Sequence, residues 1–163
     1  IHEYSINARI EDIAESLVNY QPKIIGLGVY IWNINQTLAL IRLLRQVIDN
    51  VIIVLGGPEV SYETASQEII NYADYVLCGQ ADLAFAQLSQ QLYSNKAPED
   101  KIHSVTVNNL DDLQSPYPFY NAEDIQNRII YIEASRGCPF KCEFCLSALD
   151  KTSIPFNLEN FLN

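Results

Sequence analysis

The sequence predicts an α/β protein built on a doubly wound parallel sheet. Three observations predict it. Short, nearly continuous apolar runs recur at residues 23–31, 51–56 and 74–78. Segments with apolar residues at helical spacing separate them. Glycine or proline follows two of the runs, as in Gly56-Gly57-Pro58. Runs of this length suit strands buried on both faces, and strands alternating with helices pair in parallel. Right-handed crossovers then place helices on both sides of the sheet.

The elements follow in order. IHEYSINA (residues 1–8) alternates polar and apolar residues and predicts a strand and the loop after it. Ile10, Ile13, Ala14, Leu17 and Val18 form one face of an amphipathic helix that Pro22 punctuates. KIIGLGVYIW then reads as a buried strand. Asn33 or Asn35 would cap the next helix, whose stripe is Leu38, Ile41, Leu44 and Ile48, with Arg42 and Arg45 off it. NVIIVLGGP repeats the strand-and-stop logic, a helix is expected over 63–72, and ADYVLCGQ gives a third buried strand. A helix with Phe85, Leu88 and Leu92 on one side follows at once. IHSVTVNNL alternates and reads as a hairpin strand, and SPYPFY has the composition of a linker. The arrangement is Rossmann-like, in the flavodoxin-like manner.

Composition excludes several functions. Hydrophobic residues make up 48% and charged residues 18%, which suits a packed core. Twenty acids against ten bases give a net charge of −10, which disfavours nucleic acid as a partner. No apolar run approaches the roughly 20 residues that span a bilayer, and no secretory leader is visible. The expectation is a cytoplasmic protein with no membrane partner. The chain has no Met, so Ile1 is expected not to be a natural start and the chain to be a fragment.

Of four cysteines, Cys138, Cys142 and Cys145 lie within eight residues and Cys78 stands apart. A tight cluster reads as a metal site in a reducing compartment. Three soft thiolates suit an iron–sulfur cluster with one open iron. A structural zinc site would want a fourth ligand, for which His103 and Cys78 are the candidates. Cys78, inside an apolar run, reads more simply as a small buried hydrophobe.

Arg136-Gly137-Cys138-Pro139-Phe140-Lys141-Cys142-Glu143-Phe144-Cys145 resembles the cluster motif of the radical S-adenosylmethionine (radical SAM) family, with its C-x-x-x-C-x-x-C spacing. The resemblance implies that these cysteines hold a [4Fe-4S] cluster whose open iron chelates S-adenosyl-L-methionine. One electron would then cleave the sulfonium bond to a 5′-deoxyadenosyl radical. Phe144 would help seat the adenine, and Ile129–Glu133 would be the first strand of a barrel.

The front of the chain resembles the cobalamin-binding domain that precedes the barrel in one class of these proteins. Gly26-Leu27-Gly28-Val29-Tyr30-Ile31-Trp32-Asn33 and Leu55-Gly56-Gly57-Pro58-Glu59-Val60-Ser61 carry this resemblance. Ligands of open parallel sheets bind beyond the carboxyl ends of the strands, which places candidate contacts at Tyr30, Ile31, Trp32, Asn33, Gly56, Gly57, Pro58, Glu59, Gly79 and Gln80. Read alone, Gly56-Gly57-Pro58 is an ordinary strand-ending turn, and Tyr30 and Trp32 are packing aromatics. The family often has Gly-Glu-Gly-Glu where this chain has Gly79-Gln80-Ala81-Asp82. Its first strand and helix would precede Ile1, and most of its barrel would follow Asn163.

The expectation is therefore a fragment of a cobalamin-dependent radical SAM enzyme. Residues 1–113 would be the cobalamin-binding domain, 114–127 a linker, and 128–163 the start of the radical SAM domain. The whole enzyme would make a substrate radical for methyl transfer or rearrangement. Its partners would be small-molecule cofactors, the remainder of its own barrel and an electron donor. Catalytic residues are not identified. Two alternatives stand: a radical SAM enzyme whose Rossmann-like domain has lost cobalamin, and a non-catalytic binding module with a structural metal knuckle.

Overall fold

The computed structural model describes residues 1–145, 153–157 and 159. It divides into two compact units, Ile1–Val107 and Asn108–Asn163. Residues 114–127, the expected linker, fall within the second.

The first unit is a parallel sheet of β1 (Ile24–Gly28), β2 (Ile52–Gly56), β3 (Tyr75–Gly79) and β4 (Ile102–Val105), in the order β1-β2-β3-β4. The register pairs Gly28 with Gly56, and Gly56 with Leu77, so the strands end near one another. Helices α1 (Ile10–Asn19), α2 (Ile34–Val47) and α3 (Asp82–Tyr93) connect and flank them. Side chains alternate between faces along a strand, and the core divides accordingly. Ile25, Ile53, Leu55 and Val76 pack with Ala14 of α1 and with Leu40, Ile41 and Leu44 of α2. On the other face Val54 and Leu77 pack with Leu88 of α3. Each fully buried Ile, Leu or Val contributes about 1.5–3 kcal/mol. The expected doubly wound sheet, with helices on both faces, is what forms.

Arg45 lies off the apolar stripe of α2, and the fold uses it. Its guanidinium donates to the carbonyls of Tyr72 and Val51 and to Asp74 at 2.6 Å. Asp74 also accepts the Ile53 amide at 2.7 Å. This network ties the amino ends of β2 and β3, opposite the rim where ligands of such sheets bind.

Several expected elements differ. Residues 1–8 form no strand, because their backbone pairs with no neighbouring strand. The helix expected over 63–72 is two 3-10 turns, Thr64–Ser66 and Glu68–Tyr72. Gln67 between them is extended, and the adjacent buried pair Ile69 and Ile70 does not follow an α-helical stripe. β4 runs parallel to β3, so it is no hairpin strand. Alternation identifies a strand without giving its direction, and the α3 crossover sets the direction here.

In the second unit, a capping box at Asn121 starts α4 (Ala122–Asn127). Residues 129–133 form no strand, contrary to expectation. Just beyond, β5 (Ser135–Gly137) pairs antiparallel with β6 (Ser153–Pro155) in a separate two-stranded sheet. The segment before β5 is held instead by Tyr117, whose hydroxyl accepts the Glu133 amide at 2.7 Å. The remaining residues of the expected radical SAM segment, 146–152, 158 and 160–163, lie outside the described residues. Among the described residues no helix is long and apolar enough to cross a membrane.

Candidate functional site

The carboxyl ends of β1, β2 and β3 carry the loops in which the candidate contacts were expected. Val29 extends β1 by one residue: its amide donates to Gly56 O at 2.7 Å and its side chain is fully buried. The chain then turns outward through Tyr30-Ile31-Trp32. Tyr30 and Trp32 stack with ring centroids 4.7 Å apart and planes 10° from parallel. Trp32 is nevertheless 65% exposed and Ile31 75%. Large apolar side chains left open together on one loop are an unusual use of surface, and they often mark a binding site.

Asn33 shapes that loop. It occupies the N-cap position of α2, yet its side chain makes no bond to the first helical turn. Its φ and ψ of −120° and −1° lie outside the extended region typical of a capping residue. The amide group points back: Oδ1 accepts the Tyr30 amide at 2.8 Å and Nδ2 donates to Gly28 O at 3.0 Å. The capping role expected for Asn33 is therefore corrected to a clamp on the aromatic loop.

Gly57 has a φ of +108°, and a Cβ there would lie 2.5 Å from Val29 O. Glycine is required at this position because the loop after β2 is pressed against the end of β1. The Glu59 amide reaches Val29 O at 3.3 Å from the same loop. Ser61 then donates to Gly57 O at 2.8 Å and accepts the Gly79 amide at 3.0 Å. Gly79 has a φ of +100°, and a Cβ there would overlap Val105 O. Gln80 donates its amide to Val105 O, and its Oε1 accepts the Val107 amide at 2.9 Å. The Gln80 side chain is thus engaged with the segment after β4.

A cavity of about 1200 Å³ runs along the free edge of β1, from Tyr20 and Pro22 at its amino end to this rim, and exceeds the roughly 300–1,000 Å³ of most small-ligand pockets. Tyr30, Trp32, Asn33, Gly56 and Gly57 are among its lining residues. Ile31, Pro58, Glu59, Gly79 and Gln80 are not, although their loops adjoin those that are. Sequence reasoning had not placed Phe85, Ala81 and Asp82 at the site, nor the N-terminal residues Tyr4 and Ile6, and all of them line the cavity. The Phe85 ring lies over Gly26, where a Cβ would come within 2.8 Å of it. A large aromatic on the first turn of the helix after β3, matched with a glycine in β1, is the signal that could have found it.

In the second unit the cysteine loop follows β5. Arg136 bonds both carboxylate oxygens of Glu133, at 3.0 and 2.9 Å, and fixes the approach to the loop. Cys138 is half-buried, and Cys142 and Cys145 are exposed. The Cys145 amide donates to Cys142 O at 3.1 Å, which makes a tight turn between them. Phe144 is 94% exposed. Among the described residues no three His, Cys, Asp or Glu side chains are gathered as a metal site. The three thiols suit a cluster in kind and spacing, while their side chains are not brought together.

A parallel sheet whose glycine-bearing loops meet at the carboxyl rim, beside a large and mostly apolar cavity, defines a ligand-binding domain of the Rossmann-like class. The family described as B12 binding domain matches residues 1–89, and the chain belongs to that family. Among curated proteins the chain is similar to the cobalamin-dependent radical SAM methyltransferase TokK of Streptomyces tokunonensis, at 25% identity over 85% of this chain and 24% of that protein. It is similar to the uncharacterized methyltransferase PH0819 of Pyrococcus horikoshii, at 25% identity over 85% of this chain and 34% of that protein. It also matches the hopanoid C-2 methylase of Rhodopseudomonas palustris, at 32% identity over 57% of this chain and 18% of that protein. The chain spans about a third or less of the length of each of these relatives.

Proposed function

We propose that the chain is the cobalamin-binding domain and the opening of the radical SAM domain of an enzyme that transfers a methyl group. The observation that carries this reading is a coincidence within one chain. A B12-binding domain over residues 1–89 is followed by three cysteines at cluster spacing in 138–145. The names of the relatives support methyl transfer over other radical outcomes.

In this reading the rim loops of β1, β2 and β3 receive the corrinoid. The cavity size, its apolar lining and the flat exposed Tyr30–Trp32 pair suit a large planar ligand. Asn33 and Gly57 hold the receiving loops in shape. Cys138, Cys142 and Cys145 would ligate a [4Fe-4S] cluster, with Phe144 beside S-adenosyl-L-methionine. When bound, cobalamin supplies methyl-carrier chemistry and the cluster supplies one-electron reduction of S-adenosyl-L-methionine. The partners are an electron donor and the remainder of the barrel.

The test is anaerobic reconstitution of the chain with iron and sulfide, followed by titration with hydroxocobalamin. The expected results are bound iron with the broad visible absorption of a thiolate-ligated cluster, and a shifted corrinoid spectrum. A colourless chain holding one zinc per molecule on these cysteines and a fourth protein ligand would overturn the cluster assignment. It would favour the binding module with a structural metal.

A further inference from the structure

The fold uses Ser61 in a way that neither the motif nor the family match assigns. Alternate residues of a strand direct their amides to opposite neighbours. In β3 the Val76 amide goes to Lys101 O, and beyond the strand the Gln80 amide goes to Val105 O, both on the β4 side. Gly79, between them in this alternation, faces β2. The β2 ladder has already ended, at Gly56 paired with Leu77, because the chain swings away at Gly57. The Gly79 amide would have no strand carbonyl to bond. Ser61 Oγ takes that place at 3.0 Å and donates its own proton back to Gly57 O at 2.8 Å.

One half-buried hydroxyl therefore joins two glycines that both sit at positive φ. Glycine is the residue about which a loop pivots most freely, so the spacing of the two loops depends on what ties them. Among the described residues, further side-chain ties between these segments run through the Cys78 sulfur, at 3.5 Å to Val60 O and 3.6 Å to Thr64 Oγ1. Thiols are weak hydrogen-bonding partners.

We propose that Ser61 is a positioning residue for corrinoid binding: its hydroxyl stands in for a strand carbonyl and sets the loop after β2 against the loop after β3. The proposal rests on the corrinoid reading above. Ser66 supplies the control. It lies in the same segment, but its hydroxyl bonds only Glu63 O in its own turn.

The experiment is titration of the chain and its variants with hydroxocobalamin, with amide hydrogen exchange at Gly79 measured in parallel. Ser61→Ala is expected to bind about tenfold more weakly, since each lost hydrogen bond of this kind is worth about a factor of two to ten. Its Gly79 amide should exchange faster without ligand. Ser61→Thr, which keeps a hydroxyl, should recover most of the affinity, and Ser66→Ala should leave it unchanged. Should Ser61→Ala fail to fold, the unmodified chain still decides the matter, because its Gly79 amide should gain protection when hydroxocobalamin binds. No gain, or a folded Ser61→Ala that binds as tightly as the unmodified chain, would overturn the role of Ser61. An unmodified chain that leaves the hydroxocobalamin spectrum unchanged would overturn the corrinoid reading, and this proposal with it.

Discussion

The rim of the parallel sheet and the cysteine loop are organised in opposite ways. At the rim, bonds run within the loops, Asn33 to Gly28 and Ser61 to Gly57, and between them, Val29 to Gly56, Ser61 to Gly79 and Gln80 to Val107. The shape of the rim is set by the protein before any ligand arrives, which lowers the ordering cost of binding. Among the described residues, the three cysteines of the cysteine loop share one backbone bond, from Cys145 to Cys142. In the reading proposed above, bound metal would complete the geometry of this loop, since metal binding couples to local folding. The contrast predicts where substitutions act and how strongly.

The largest effect is expected at the cysteines. Cys142→Ala should abolish most iron uptake on reconstitution, as should Cys138→Ala and Cys145→Ala, because a cluster short of one of three protein ligands is labile. The hydroxocobalamin titration should be unchanged in all three. Iron content per chain and the corrinoid spectrum measure the two separately. Cys78→Ala should leave iron uptake intact, since Cys78 packs against the core of the first unit. Full iron loading of Cys142→Ala would break the comparison, because the motif would then not be the ligand set.

Gly57→Leu should act the other way round. A side chain at a φ of +108° is strained by about 1–3 kcal/mol, and its Cβ would meet Val29 O at 2.5 Å. The variant should melt at a lower temperature and respond weakly to hydroxocobalamin, while its iron uptake stays normal. Equal stability and equal response would mean that the rim is not pre-set.

The sequence made much of this legible, for reasons that can be stated residue by residue. The runs holding β2 and β3 are apolar on both faces, and a strand covered on both sides leaves that mark in composition alone. The run at 23–31 reads the same way, yet β1 is the edge strand with Ile25 alone buried, and Tyr30 and Ile31 beyond it are exposed. The three cysteines are legible because spacing within one loop is a property of sequence. The misreadings at residues 1–8 and at Asn33 arise from partners that a local pattern does not name, whereas the helix expected over 63–72 fails on its own apolar spacing. Residues 1–8 alternate like a strand, but a strand requires a neighbour. Ser61 looks like any turn serine until Gly79, 18 residues on, supplies the amide it accepts. Asn33 looks like a helix cap, and only the fold shows its side chain turned back to Gly28 and Tyr30.

Asn33→Ala should give the smallest effect and the sharpest view of the rim. The variant loses two side-chain bonds at the surface, each worth about 0.5–1.5 kcal/mol at most. It loses no capping bond, because Asn33 makes none. Stability should therefore fall by about 1 kcal/mol, less than for Gly57→Leu. What should change is the order of the aromatic loop, since the clamp fixes the Tyr30 amide and the stack sets Trp32 on Tyr30. Trp32 is the chain's one tryptophan, so its fluorescence reports on this loop without labelling. Fluorescence anisotropy decay should show faster local motion of Trp32 in the variant, with hydroxocobalamin binding weakened by a few-fold, about the effect of one surface hydrogen bond. A variant with unaltered Trp32 motion would show that the stack holds itself, and the clamp would then be a feature of α2 alone.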